Sequence, residues 1–76
     1  MKSTKKKLIL YNDNVNSFDN VIDSLMKICG YNIYQAEQCA LIVHNTGKCV
    51  LKEGRVQELE EFMLKLQSRR LKIKIV

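Results

Sequence analysis

Proline is absent from this chain of 76 residues, glycine occurs three times and histidine once. Gly30, Gly47 and Gly54 are too scattered to build a glycine-rich phosphate loop, which excludes the usual nucleotide-binding motifs. Long hydrophobic stretches are missing as well. Apolar runs such as Ala40 to Val43 fall far short of the ~20 residues that a bilayer-spanning helix requires. Cys29, Cys39 and Cys49 contain no CxxC pair, and only one His is present to complete a metal set, so neither a metal centre nor a cofactor is predicted. Each cysteine sits among apolar residues, which predicts buried, reduced thiols and a reducing compartment. Met1 to Lys7 is basic without the apolar stretch of a signal peptide, and a cytoplasmic protein is the resulting expectation.

What is present describes one small globular domain. Hydrophobic content of 46% and charged content of 28% exclude a disordered chain. A chain this short buries only about 60% of its unfolded surface, so a shallow surface site is expected rather than an enclosed cavity. Thirteen Lys and Arg against eight Asp and Glu give a net charge of +5, unevenly spread. Lys2, Lys5, Lys6 and Lys7 cluster at one end, and Lys65, Arg69, Arg70, Lys72 and Lys74 at the other. Leu8 to Leu64 holds four basic residues against all eight acids, a net of −4. Nucleic-acid binding would require the two ends to form one phosphate-facing stripe with stacking aromatics nearby. Only Lys-rich ends are visible, which read more simply as solvated tails and a charged edge strand than as a nucleic-acid surface.

Hydrophobic periodicity divides the chain into six elements. Leu8 to Tyr11 reads as a first strand, stopped by the polar cluster Asn12 to Asn16. Phe18, Val21, Ile22, Leu25, Met26 and Cys29 recur at helical spacing, with Asn16 or Ser17 as N-cap and Gly30 as stop. Asn32 and Gln35 form a capping box for a second helix, whose apolar face is Ile33, Ala36, Cys39, Ala40 and Val43. Gly47 ends it and leaves His44 on its last turn. Cys49 to Leu51 reads as a second strand, with Glu53-Gly54 as the turn after it. Val56, Leu59, Phe62, Met63 and Leu66 mark a third helix with Glu58, Glu60, Glu61 and Lys65 outside. Leu71 to Ile75 alternates strictly, predicting a half-buried third strand with its lysines facing water. The result is a two-layer α+β domain in the order β-α-α-β-α-β, a three-stranded sheet with helices packed on one face. Residues 1–7 are read as a short basic tail and 8–76 as the domain.

Two polar groups border these apolar faces. Asn12 and Asp13 lie where the first strand ends, and His44 where the second helix ends. If they meet, an amide oxygen, a carboxylate and a neutral imidazole nitrogen can all accept hydrogen bonds, a set suited to a donor-only ammonium group. An imidazole nitrogen accepts only when neutral and an ammonium donates fully only when charged, so such a clamp weakens toward both extremes of pH. Spacing alone leaves the simpler reading open, with the Asx residues as helix caps and the His as a helix-dipole partner. Ser17, His44 and Asp13 contain the residue types of a nucleophilic triad. However, Ser17 is explained as a cap and lacks nucleophile-elbow glycines, so no enzyme is predicted.

The run Leu10-Tyr11-Asn12-Asp13-Asn14, then Asp19, Val21, Leu25 and Ala36, and then Val43-His44-Asn45-Thr46-Gly47-Lys48, resembles the ClpS family. These are adaptors that bring N-degron substrates to Clp ATPase–protease complexes. The family pattern is a strand, Asn-Asp-Asp, a Thr-Pro-Met stretch opening a helix, and Val-His-x-x-Gly-Lys closing the next helix. The likeness is strongest from about Leu8 to Gly47. It implies that Asn12, Asp13 and His44 hold the free α-amino group of a substrate. Phe18, Val21, Ala40 and Val43 then wall a pocket for its first side chain, typically Leu, Phe, Tyr or Trp, with Asn14 and Asn16 at the rim. The implied partners are the N-terminal segments of substrate proteins and the N-domain of a ClpA- or ClpC-type AAA+ unfoldase, with a monomeric adaptor between them.

Departures from the family pattern concentrate at the pocket. Phe18 stands where the family has a gate Met, Ala40 where it has a facing Met, Asn16-Ser17 for Thr-Pro, and Asn14 for the second Asp. A bulkier gate opposite a smaller wall is expected to keep the pocket open while moving it. Family members carry a longer N-terminal extension used in delivery, whereas only Met1 to about Lys6 precedes the first strand here. Gln57 replaces a family Glu, and Lys52 and Gly54 replace a glycine and an aromatic. Two other readings remain at this point. An interaction module like the C-terminal domain of the ribosomal stalk protein would be indifferent to acetylation of a peptide's N-terminus. A small basic nucleic-acid binder would show a steep salt dependence carried by Lys5, Lys6 and Lys7.

Overall fold

In the computed structural model, which describes residues 5–13 and 16–76, the elements are β1 (Lys6–Tyr11), α1 (Phe18–Cys29), α2 (Ile33–Thr46), β2 (Lys48–Gly54), α3 (Val56–Gln67) and β3 (Lys72–Ile75). The order is the β-α-α-β-α-β of the sequence reading, and the class is α+β. The most apolar strand, β1, takes the centre of the sheet, with order β2-β1-β3 and antiparallel pairing on both sides. Alternation sends Leu8 and Leu10 to one face, where they join a buried cluster with Leu25 of α1, Ala36 and Val43 of α2, and Leu59 and Leu66 of α3. All three helices cover that face. Complete burial of a leucine contributes about 1.5 to 3 kcal/mol, so Leu8, Leu10, Leu25, Leu59 and Leu66 carry much of the stability.

Capping residues set the helix boundaries. The Ser17 hydroxyl accepts from the Asn20 amide at 3.1 Å and opens α1, and Gly30 closes it at φ 71°. Asn32 and Gln35 form the reciprocal capping box of α2, and Gly47 at φ 93° returns its N–H to Val43. The end of α3 is built differently. Arg70 adopts the left-handed conformation at φ 67°, and the Leu71 amide reaches back to the Leu66 carbonyl at 3.3 Å.

Several boundaries differ from the sequence reading. Strand β1 begins at Lys6 rather than Leu8, so Lys6 and Lys7 belong to the sheet and not to the tail. They pair with Gly54 and Glu53, and the expected turn at Glu53-Gly54 is therefore the last part of β2. Between Leu8 and Ile9 the register shifts, because Leu8 faces Lys52 while Ile9 faces Val50. Leu51 is the extra residue of this bulge. The shift turns Lys52 toward the helical layer, where its ammonium lies 5.0 Å over the Phe62 ring. Strand β3 begins at Lys72, with Leu71 buried just before it.

Burial also corrects some assignments. Ile33, expected on the buried face of α2, is 59% exposed, since the helix's first turn extends past a buried cluster that begins at Ala36. Only Cys39 is buried, whereas Cys29, the last residue of α1, and Cys49, on edge strand β2, are half-buried. All three are free thiols. The lysines of β3 are exposed as expected, but Lys74 also lies 5.8 Å over the Tyr11 ring and opposite Ile9. Ile9 itself is buried, although alternation sends it to the sheet face opposite Leu8 and Leu10.

Candidate functional site

The site forms where β1 ends. Tyr11 pairs with Lys48, and the Asn12 amide donates to the Gly47 carbonyl at 2.9 Å, so the strand end is tied to the junction of α2 and β2. Gly47 makes this possible. Its left-handed backbone turns the chain sharply after α2 and leaves His44 on the last helical turn, beside Asn12. Helix α1 starts close by, and its first residue, Phe18, sets its ring edge-on to the His44 imidazole, with centroids 6.4 Å apart at 83°.

Asn12, Asp13, Asn16, Phe18, Val21, Ala40, Val43 and His44 line one pocket of about 340 Å³. The four side chains expected as its walls are all there. Ala40 and Val43 are 3% and 5% exposed and form a fixed floor, while Phe18 at 43% stands at the mouth. The expected amine-binding trio shares the same opening. Asn14, expected at the rim, lies outside the described residues.

Asn16 does more than line the rim. Its backbone amide donates to Asp13 Oδ1 at 3.0 Å, and its Nδ2 donates to Oδ1 at 3.2 Å and Oδ2 at 3.1 Å. The same Nδ2 reaches the Arg70 carbonyl at 2.6 Å. Asn20 completes the brace, donating from Nδ2 to Asn16 Oδ1 at 2.6 Å and to the Arg69 carbonyl at 3.3 Å. The Asp13 carboxylate is thus oriented through Asn16 by the turn between α3 and β3. Sequence reasoning missed Asn20 and this turn, because contacts spanning some fifty residues leave no local signal. The Arg69 guanidinium is bonded to Asp23 at 3.0 Å, and Lys27 lies 3.3 Å from the same oxygen. Lys27 first and Arg69 next hold the Asp23 carboxyl below its ordinary range.

The charge division expected from sequence is incomplete. Asp13 places a carboxylate in the pocket, yet Arg69 and Arg70 stand in the neighbouring groove beside Asn16, because the α3–β3 turn packs against the start of α1. Chemically the pocket joins hydrogen-bond acceptors to an apolar floor, an arrangement suited to a ligand with a cationic donor next to a hydrophobic group. Ser17 is engaged as a cap. Among the described residues, no three His, Cys, Asp or Glu side chains are grouped to hold a metal, and no helix is long and apolar enough to cross a membrane.

Comparison with curated proteins finds no match. Comparison with protein families finds one that covers nearly the whole chain: the model described as "ATP-dependent Clp protease adaptor protein ClpS" matches residues 1–74. The chain therefore belongs to the ClpS family, whose members are adaptors of the ATP-dependent Clp protease and not proteases themselves.

Proposed function

We propose that this adaptor binds the free N-terminus of a substrate protein and delivers it to the N-domain of a ClpA- or ClpC-type unfoldase. Asn12, Asp13 and His44 accept hydrogen bonds from the α-ammonium group, and the first side chain enters between Phe18, Val21, Ala40 and Val43. The observation that carries this reading is the convergence of those seven residues, from the β1 end, α1 and α2, on one pocket. Its volume of about 340 Å³ suits one large hydrophobic side chain with its amino group. Charge-assisted hydrogen bonds contribute about 1.5 to 3 kcal/mol each, so the ammonium is expected to supply a large share of the affinity.

Fluorescence anisotropy with peptides beginning in Leu, Phe or Arg, each with a free or acetylated N-terminus, tests the reading. Free Leu and Phe peptides are expected to bind, with loss of binding on acetylation and in His44→Ala. Failure of every free hydrophobic terminus to bind would overturn it. Stimulated degradation of a Leu-initiated reporter by a reconstituted unfoldase–protease complex tests delivery separately.

A further inference from the structure

Cys39 on α2 and Cys49 on β2 flank the Gly47 turn, and their Sγ atoms lie 2.8 Å apart, with Cys39 donating to Cys49. Non-bonded sulfurs ordinarily keep a wider separation, while a disulfide bond spans about 2.05 Å. A movement of under about 1 Å therefore separates this contact from a covalent bond. Cys49 is half-buried and is the member of the pair that solvent reaches, while Cys39 is buried behind it. Both residues line a surface hollow of about 300 Å³ bordered by Tyr31, Tyr34, Gln38 and Ile42.

We propose that Cys39 and Cys49 form a thiol–disulfide exchange site, which reacts with low-molecular-weight disulfides of the glutathione type to close a reversible bond between α2 and β2. Cys49 is the attacking sulfur, being the more exposed of the two and the acceptor in the sulfur–sulfur contact. Burial first, and the bond to Cys49 next, push the Cys39 thiol up, so it stays protonated until the second step. Cys49 gives its proton to solvent and attacks one sulfur of the small disulfide. That S–S bond breaks, and one thiolate leaves and takes up a proton. Cys39 then attacks the Cys49 sulfur of the mixed disulfide, and its proton passes to the departing small thiolate, which leaves as the second thiol. Two protein thiols are oxidised and one small disulfide is reduced to two thiols. The bond fastens α2 to the sheet at the residue next to Ala40. The chemistry belongs to the thiols alone and does not depend on peptide binding.

The full chain, equilibrated with excess oxidised glutathione, alkylated and digested, is read by mass spectrometry. The expected result is loss of two of the three alkylatable thiols, a mass lower by two hydrogens, and a linked peptide pair containing Cys39 and Cys49, all reversed by dithiothreitol. Cys29→Ser retains the link and Cys49→Ser loses it. Three alkylated cysteines after oxidation, a stable glutathione adduct on Cys49 without closure, or a link that uses Cys29 in the unsubstituted chain would each overturn the proposal.

Discussion

At the scale of single residues, Asn16 and Tyr31 matter through what they hold in place. Asn16 fixes both oxygens of Asp13 and anchors them to the Arg70 carbonyl. Asn16→Ala removes these side-chain bonds, and anisotropy is expected to show about fivefold weaker binding of a free Leu peptide, the equivalent of about 1 kcal/mol, with little change in melting temperature. Tyr31 donates its hydroxyl to the Leu51 carbonyl at 2.5 Å. Burial, and then the neighbouring Cys39, Cys29 and Cys49 thiols, push its phenol up to about 12 from an ordinary 10. The folded state favours the protonated phenol, so its contribution is complete below pH 10 and is lost as pH rises toward 12. An ultraviolet titration is expected to show one tyrosine ionising late, and Tyr31→Phe to remove that late step. Of these roles, only the lining position of Asn16 was legible in the sequence. Its bracing of Asp13 depends on a turn far along the chain.

At the scale of elements, three of the four termini of α1 and α2 announce themselves by residue type: Asn32 with Gln35, Gly30 and Gly47. The fourth, Ser17, was one of two candidate caps, and the structure selects it. Gly47→Ala forces a side chain into φ 93° and is expected to cost about 1 kcal/mol in chemical denaturation. Arg70 presents the opposite case, a non-glycine residue at φ 67°, and Arg70→Gly is expected to be stabilising by about 0.5 to 1 kcal/mol. No glycine signals the end of α3, which is why that turn was not visible in the sequence. Gly54 misleads in the other direction, since it lies within edge strand β2 opposite Lys6. The bulge at Leu51 was hidden as well, because it depends on the register against β1 and not on the composition of β2.

At the scale of the whole molecule, the pocket depends on the sheet. Spacing alone leaves open whether Asn12 and His44 act as a cap and a helix-dipole partner or share one clamp. The Asn12 to Gly47 hydrogen bond is what joins the end of β1 to the end of α2. Ala40→Met places a long side chain on the pocket floor, and anisotropy is expected to show at least tenfold weaker binding of a Phe peptide. Unchanged affinity would mean that Ala40 does not shape the pocket. At the opposite end of β1, Lys7 and Val76 exchange two backbone hydrogen bonds of 2.9 Å each. The last residue of the chain therefore lies beside the first strand, some 15 to 20 Å of strand away from the pocket. A short linker from Val76 to Lys5 would allow circular permutation, with new ends opened at Gly30-Tyr31 between α1 and α2, while the pocket end of the sheet stays untouched.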